Sequence, residues 1–594
     1  MPVATDYTTQ KNTKIMNVVE RNSGEPSVAL DVELGSGTYG SVRRAFVRGV
    51  PSLDAHYKHN ALAIKTYKNS KGANGVPQMQ LREVLAMQSI PFHHQIMPML
   101  GCIVEETENN VSMHIIMPCA NETAFQAAAM KELTEINIFR WCYQLASAVA
   151  HMHEHGWIHR DIKLENCMIY SNQLVLGDLG LTRLRFGDAA SPTQNTTAFR
   201  RPSMTSDVCT ENTRAPEMFV ASVLSSPTTT SYDYSSDVWS MGVSCLALAT
   251  GRYIFKRSEA RGESVQSAIM RILGTSSTKK QCASSIDDIK AVTPRYDICD
   301  AWWKCIDRML RIDPKERVTA ATAAQMFNLL IHTNEHNDND NTRIVGGNND
   351  VFLSRRKSLV WYALGKNAHF ISGNKPSSFN DDIIANSDRS EDESRILVRT
   401  LENCWEACRT LNLPPLVGIA AQLLLARVLT HRKTPSNATL AATVAACILL
   451  CAKSCMFQAP SLKSVAFTLH TLPDSVARSE WSIFKNVRGI LLCDNFRKAI
   501  RIWPPTQRLH LAGGNSLQVC ISFALLALFP NTDIDEIVFD ANMISRGASP
   551  SACIIRGLKL INAIQSNSTI AFFRSWPGAW IDSSGTMKTW ANIK

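Results

Sequence analysis

The chain has 594 residues, of which 45% are hydrophobic and 19% are charged. This apolar fraction excludes a wholly disordered chain, and the length corresponds to about three or four domains of ~150 residues each. The 62 basic and 52 acidic side chains give a net charge of +10, which is small over this length. It indicates a solvated surface without a direct nucleic-acid partner, although it leaves room for a cationic face toward an anionic ligand.

Composition divides the chain into segments of different character. Short β-rich runs surround one helix from 28 to about 120, and the chain is mainly helical from 130 to 333. An Asn/Asp/Gly-rich stretch comes next, whose apolar content is too low to offset the entropy of ordering. We therefore predict a tail (1–27), a mixed α/β domain (28–333), a polar linker (334–393), a helical domain (394–506) and a helical extension (507–594).

Two observations bear on the compartment. The 17 cysteines follow no spacing of small disulfide-rich domains, and the N-terminal segment has no apolar core of a secretory signal. The longest nearly uncharged stretches, 411–426 and 437–452, are too short to span a membrane. We expect an intracellular protein, nuclear or cytoplasmic, without a membrane partner.

The first chemical motif is LGSGTYGSV, with Gly35, Gly37, Gly40 and Val42 following an apolar run. A glycine-rich hairpin allows backbone N–H groups to approach phosphates without Cβ clashes. Alone, the motif fits an ordinary β-turn or a dinucleotide-binding loop equally well. Motifs further along the chain decide between these interpretations.

The next motif is an alternating strand, ALAIK, that ends in Lys65, followed by an amphipathic helix that carries Glu83. An ammonium group on such a strand is suited to the α- and β-phosphates of a nucleotide. A carboxylate on the helix would pair with the lysine and fix its position.

Two further motifs complete the set. HRDIKLEN supplies Asp161 to accept a proton from a hydroxyl, Lys163 to neutralise a moving phosphoryl group and Asn166 to hold Mg²⁺. GDLG then brings Asp178, a hard oxygen ligand for Mg²⁺ between phosphates.

These motifs, in this order, resemble the eukaryotic-type protein kinases over residues 28–333. The resemblance implies an α+β bilobal fold with a β-rich N-lobe and a helical C-lobe, ATP and Mg²⁺ as cofactors, and protein substrates. The position of Lys163, two residues after Asp161, resembles the pattern of the serine/threonine class of these kinases. Leu179 replaces the Phe of the family's DFG but is still large and apolar. A non-catalytic scaffold that keeps the kinase shell is the alternative.

The segment PQMQLRE (77–83) resembles the P-S-T-A-I-R-E helix of cyclin-dependent kinases. In that branch, a phosphate on the activation segment binds three arginines, which correspond to Arg82, Arg160 and Arg183. A phosphate carries about −1.5 to −2 charges and needs such guanidinium partners.

The same resemblance assigns roles to four hydroxyl-bearing residues. Thr210 matches the threonine that braces the catalytic lysine and aspartate, and Thr205 falls at the activating phosphorylation site. Thr38 and Tyr39 lie where the family takes inhibitory phosphates. Arg214 before APE is typical of proline-directed kinases, so we expect a preference for Ser/Thr-Pro.

Four histidines lie close together: His151, His153, His155 and His159. Their spacing is similar to a zinc ligand set. They also occupy the positions where kinases have a helix end and the catalytic loop, and that interpretation is favoured. Cys447, Cys451 and Cys455 recur every four residues, which favours small buried side chains on one helical face over a metal site.

The C-terminal helices resemble a cyclin box over 394–506, so the chain is identified as similar to a kinase–cyclin fusion with an intramolecular activating partner. The resemblance makes Lys453 the lysine that contacts the kinase helix, and places the carboxylate that pairs with it near Lys485. An unrelated helical docking module is the alternative, and 507–594 would be a shortened second cyclin repeat. A single-chain arrangement would suit a viral genome, in which case the compartment is that of a host cell.

Overall fold

We describe the fold from a computed structural model. The residues that it describes are 27–36, 40–48, 61–67, 75–106, 111–130, 133–170, 172–184, 211–223, 233–257, 262–273, 289–290, 298–335, 370–372, 400, 403–404, 406–413, 415–430, 437–455, 459–487, 489, 491, 579–581 and 587–589.

An antiparallel sheet forms the first lobe, and apolar residues of its strands share a core with one amphipathic helix. Its strand order is β1–β2–β3–β5–β4–β11, with a β-bulge in β1 before the glycine-rich motif. Helix α1 packs under the sheet, and its central residues, Leu81 to Met87, are buried. The elements are β1 (Ser27–Ser36), β2 (Gly40–Arg48), β3 (Leu62–Tyr67), α1 (Gln78–Ser89), β4 (Gly101–Glu106), β5 (Val111–Pro118) and β11 (Phe370–Ser372).

The second lobe is mainly helical around a long buried helix, α3. Thr134 caps α3 by accepting from the N–H of Asn137, and its apolar residues at helical spacing are buried against α5 and α8. The elements are β6 (Glu122–Thr123), α2 (Ala124–Met130), α3 (Glu135–Glu154), β7 (Trp157–Ile158), β8 (Cys167–Tyr170), β9 (Gln173–Leu176), β10 (Arg183–Leu184), α4 (Pro216–Val223), α5 (Tyr234–Thr250), α6 (Val265–Leu273), α7 (Asp300–Met309) and α8 (Ala320–Glu335).

A third group of helices packs against the first lobe. Helix α10 lies between α9 and α12, and its C-terminal end contacts α1. Its small residues permit this close packing: Cys447, Cys451 and Cys455 are all buried, as predicted for small buried side chains. The elements are α9 (Pro415–Thr430), α10 (Asn437–Cys455), α11 (Leu462–Thr468) and α12 (Pro473–Asn486).

Two features differ from the expected segments. Within the predicted linker, β11 adds a strand to the edge of the first-lobe sheet, where Ile371 pairs with Cys102. In the predicted helical extension, the described residues form an antiparallel pair, β12 (Ala579–Ile581) and β13 (Met587–Thr589). A Ser-Ser-Gly sequence between these strands is a turn signal that the helical prediction missed. The remainder of 507–594 lies outside the described residues.

In the part of the chain that the structure describes, no helix has the length and apolar character to cross a membrane.

Candidate active site

The side chain of Lys65 joins three elements at the cleft between the lobes. Its Nζ donates to both carboxylate oxygens of Glu83 at 2.9 Å, and to Oδ1 of Asp178 at 2.8 Å. Lys65 therefore fixes the relative positions of β3, α1 and the loop after β9. The expected pairing of Lys65 with Glu83 is present.

Electrostatics at this bridge follow from burial and charge. Burial raises the pKa of Glu83 above its ordinary value, against the opposing effect of Lys65. Burial alone would lower the pKa of Lys65, but Glu83 and Asp178 more than offset it, so that this pKa is raised. Desolvation similarly acts to raise the pKa of Asp178, yet the Lys65 ammonium and then His159 bring it below its usual range. Lys65 is thus held as a cation and Asp178 as an anion.

The predicted catalytic loop is held in place by a buried carboxylate, Asp237. Its Oδ2 accepts from the backbone N–H of His159 at 2.7 Å and its Oδ1 from that of Arg160 at 2.9 Å. Arg160 has φ 72°, a left-handed conformation that is strained for a non-glycine residue. The two bonds to Asp237 stabilise that conformation. Asp237 lies in the motif SSDVWSMGV, which resembles a structural landmark of the kinase family, although the motif alone does not specify these two bonds.

Within this loop, three predicted residues converge. Asn166 Nδ2 donates to the backbone carbonyl of Asp161 at 2.8 Å and to its Oδ2 at 3.0 Å. Lys163 Nζ lies 2.9 Å from the same Oδ2. Asp161 is thereby fixed as an acceptor beside a cation.

The donor set fits a magnesium ion. Both bonds of Asn166 to Asp161 use its amide NH₂, which leaves its Oδ1 as the ligand atom. The side chain of Asp178 is 45% exposed, so a ligand can reach its carboxylate. Amide and carboxylate oxygens are the ligands that Mg²⁺ prefers. Behind Asp178, Leu179 is fully buried, as expected for a large apolar residue there.

The glycine-rich hairpin connects β1 and β2. A Cβ on Gly40 would overlap the backbone carbonyl of Thr66 on β3, whereas a Cβ on Gly35 would meet no atom within 4 Å. Val42 pairs with Gly35 and with Lys65 across the sheet. Gly40 is therefore required for strand packing, and Gly35 leaves room above the cleft.

Several predicted residues lie outside the described residues: Gly37, Thr38, Tyr39, Thr205 and Thr210.

Three arginines, from α1, the catalytic loop and β10, gather beside the site. Burial, and then the charges of Arg183 and Arg160, lower the pKa of Arg82 to about 9. Burial and Arg160 likewise lower the pKa of Arg183 to about 10. The predicted arginine set is thus brought together, and its mutual repulsion favours binding of an anion.

A buried ion pair from the C-terminal helices lies against the start of α1. Lys453 Nζ bonds to Glu480 Oε1 at 2.7 Å and donates to the backbone carbonyl of Val76 at 2.8 Å. Glu480 Oε2 accepts from the N–H of Val76 at 3.3 Å. Both side chains are at most 10% exposed. The pair therefore binds both backbone polar groups of one residue at the entry to α1.

The end of α10 makes further bonds to α1. The backbone carbonyl of Lys453 accepts from Gln78 Nε2 and from Arg82 Nε, each at 3.0 Å. Gly75 has φ +67°, and a Cβ there would overlap the Glu480 carboxylate. Gly489, with φ +74°, approaches the other end of α1, where a Cβ would lie 3.3 Å from Val84 Cγ1. The missing side chains of these glycines leave space for Glu480 at one end of the contact and for Val84 and Gln88 at the other.

Glu480 was missed by sequence reasoning, which aligned this carboxylate near Lys485. Lys453 pairs instead with Glu480, because Glu480 faces α10 and is fully buried whereas Lys485 lies more than one helical turn further along α12. The available signal was a single acidic residue among the buried positions of an amphipathic helix.

Comparison with known proteins adds independent information. The family model described as "Protein kinase domain" matches residues 28–327. The Trypanosoma brucei brucei protein "Cell division control protein 2 homolog 3" is 26% identical over 314 residues, 49% of this chain and 88% of that protein. "Cyclin-dependent kinase B1-1" of Arabidopsis thaliana is 25% identical over 319 residues, 49% of this chain and 93% of its own length. "Cyclin-dependent kinase F-4" of Oryza sativa subsp. japonica is 28% identical over 243 residues, 41% of this chain and 46% of that protein.

Proposed function

Since this chain belongs to the protein kinase family, we propose that it is a serine/threonine kinase of the cyclin-dependent type, activated in cis by its own C-terminal helices. The names of its relatives support the cyclin-dependent branch. The lysine two residues after Asp161 supports the serine/threonine class. The observation that carries the activation is the contact of Lys453 and Glu480 with Val76, at the start of the helix that holds Glu83.

The proposed reaction uses the groups described above. When bound, ATP with Mg²⁺ supplies the phosphoryl group and the charge neutralisation of its phosphates. Lys65 holds the α- and β-phosphates, and Asn166 and Asp178 provide the metal ligands. Asp161 accepts the proton of the substrate hydroxyl, and Lys163 stabilises the negative charge that develops beside it.

The position of α1 supports the proposal of activation in cis. Glu83 orients Lys65 only while α1 lies against the sheet, and isolated helices of this length are marginal in water. The Lys453–Glu480 pair and the bonds to Gln78 and Arg82 fix the N-terminal half of α1 from the outside. A C-terminal unit with a cyclin-like arrangement would therefore keep Glu83 inward.

Arg82 links this contact to a proposed regulatory phosphate. Its Nε bonds to the Lys453 carbonyl while its charge faces Arg160 and Arg183. We propose that phosphorylated Thr205 binds this arginine cluster and adds to the activation. A preference for Ser/Thr-Pro substrates is part of the same proposal and is supported by Arg214 alone.

The function is tested by phosphate transfer from radiolabelled ATP to a panel of Ser/Thr-Pro and Ser/Thr-Ala peptides. We expect the full chain to transfer phosphate and Asp161→Asn to lose more than about 100-fold, as expected for removal of a catalytic base. Equal transfer by both proteins would indicate a non-catalytic scaffold.

Activation in cis is tested with a protease site inserted within 336–350 of the full chain, after the end of α8. Tethering gives an effective concentration of about millimolar, so the intact protein should keep its specific activity on dilution. The cleaved protein should lose activity at nanomolar concentration. If the cleaved protein stays active on dilution while its halves separate, the C-terminal unit is a docking module rather than an activator.

A further inference from the structure

Three side chains capable of binding a metal converge at the C-terminal end of α3. They are His151, Glu154 and His155, and one ligand atom from each lies within 4.8 Å of those of the others. The spacing i, i+3 and i+4 places all three on one helical face. Both histidines are half-buried and Glu154 is exposed, so an ion from solvent can reach them.

Backbone carbonyls orient both imidazole rings. Nε2 of His151 lies 3.0 Å from the carbonyl of Pro91, and Nδ1 of His155 lies 2.7 Å from the carbonyl of His151. A carbonyl only accepts, so these two nitrogens carry the protons. The lone pairs are then on His151 Nδ1 and His155 Nε2. Metal-binding histidines in proteins are held by the same kind of second hydrogen bond.

The neighbouring histidines are engaged elsewhere. His93 stacks on His151 with ring centroids 4.7 Å apart, its Nδ1 accepts from the N–H of Gln95, and its Nε2 lies 3.2 Å from Ser147 Oγ. Of the four-histidine set in the sequence, His153 bonds to Asp237 and His159 to the carbonyl of Gly177. The predicted cluster is thus divided into two anchoring residues and two that converge with Glu154.

We propose that His151, Glu154 and His155 bind a zinc ion, with water completing its coordination. Two neutral imidazoles and one carboxylate are a donor set that zinc accepts in proteins, and imidazole selects against Mg²⁺. The ion would stabilise the last turn of α3 immediately before the catalytic loop. Through His151 it would also hold the Pro91 carbonyl in the loop that follows α1.

The experiment measures zinc binding by the chelator-stripped full chain, by competition with a chromophoric chelator. The test variants are Glu154→Gln, which alters an exposed side chain, and His155→Gln. The control is His332→Gln, an exposed histidine on α8. Circular dichroism and the melting temperature of each apo protein establish that the variants are folded.

We expect the wild type and the control to bind one zinc ion more tightly than Glu154→Gln by about 10- to 100-fold, and His155→Gln to lose that ion. Bound Co²⁺ should show the absorption of a four- or five-coordinate site in the wild type and the control, and not in His155→Gln. Equal zinc affinity and stoichiometry in all four proteins would overturn the proposal. The measurement does not depend on phosphate transfer, so its outcome is separate from that of the proposed kinase activity.

Discussion

Gly75 and Glu480 are 405 positions apart in sequence, yet the Glu480 carboxylate occupies the space that a side chain on Gly75 would fill. The left-handed backbone of Gly75 turns the chain so that Val76 presents both its N–H and its carbonyl to the Lys453–Glu480 pair. The entry to α1 and the C-terminal helices are therefore complementary at backbone level.

Replacing Gly75 with alanine should weaken this contact and reduce activity. The variant carries the left-handed strain of about 1–2 kcal/mol and also displaces a buried ion pair. Gly262→Ala is the matched control, because Gly262 has φ +61° but open space around it. We expect the rate of phosphate transfer by Gly75→Ala to be at least about tenfold lower than that by Gly262→Ala. Equal losses would mean that backbone strain alone is responsible.

Lys453→Met should lower the free energy of unfolding more than replacement of both Lys453 and Glu480 does. Removing one partner leaves the buried carboxylate of Glu480 uncompensated, at a cost of about 3–5 kcal/mol, whereas an apolar replacement of both partners can be nearly neutral. In urea denaturation of the full chain, the free energy of unfolding should therefore be lower for Lys453→Met than for the double variant Lys453→Met/Glu480→Leu. If the double variant is the less stable one, the attraction between Lys453 and Glu480 exceeds the desolvation cost of burying their charges.

The contact should also depend on pH through Glu480. Burial raises its pKa to about 7, against the opposing effects of Lys453 and the Val76 N–H. An acid with a raised pKa binds more protons in the folded state, so its contribution to stability is complete below about pH 4.5 and is lost as pH rises through about 7. The difference in melting temperature between wild type and Glu480→Gln should change over this range and be constant above it. A constant difference from pH 4.5 to 8 would contradict the prediction.

The arginine cluster should bind phosphate. Because Arg82, Arg160 and Arg183 repel one another in a buried setting, inorganic phosphate should raise the melting temperature of the wild type. Arg183→Gln should remove most of that increase. Arg271→Gln is the control, since Arg271 is paired with Glu263 on the surface. An equal phosphate effect in both variants would place the binding elsewhere.

Gly40→Ala should destabilise the first lobe, because the new Cβ would overlap the Thr66 carbonyl on β3. The expected loss is about 1–3 kcal/mol, as for overpacked positions. Gly35→Ala, which meets no neighbour, should leave the free energy of unfolding nearly unchanged. Similar losses for the two variants would contradict this assignment.

The sequence allowed Lys65, Glu83, Asp161, Asn166 and Asp178 to be placed together, because each belongs to a motif and the motifs follow a fixed chain order. Within a motif, local backbone geometry determines the position of each side chain. The structure brings these five side chains together as the motif order predicts, and their catalytic and metal-binding roles stay predictions.

Residues at contacts between distant segments could not be placed in this way. The partner of Lys453 depends on how α12 is rotated against α10, and an error of five residues moved it from Glu480 to Lys485. The pairing of β11 depends on which sheet edge is exposed, which the three-residue segment Phe-Ile-Ser does not specify. The four histidines were separated by hydrogen bonds to Asp237 and to the Gly177 carbonyl, which only the fold brings near.

Strand β11 affects how closely the C-terminal helices are tethered to the first lobe. Because Phe370–Ser372 pairs with β4, the connection to the C-terminal helices starts from the sheet edge and spans only 373–399. The added strand therefore shortens the tether from 336–399 to 373–399, which raises the effective concentration of the C-terminal helices at α1.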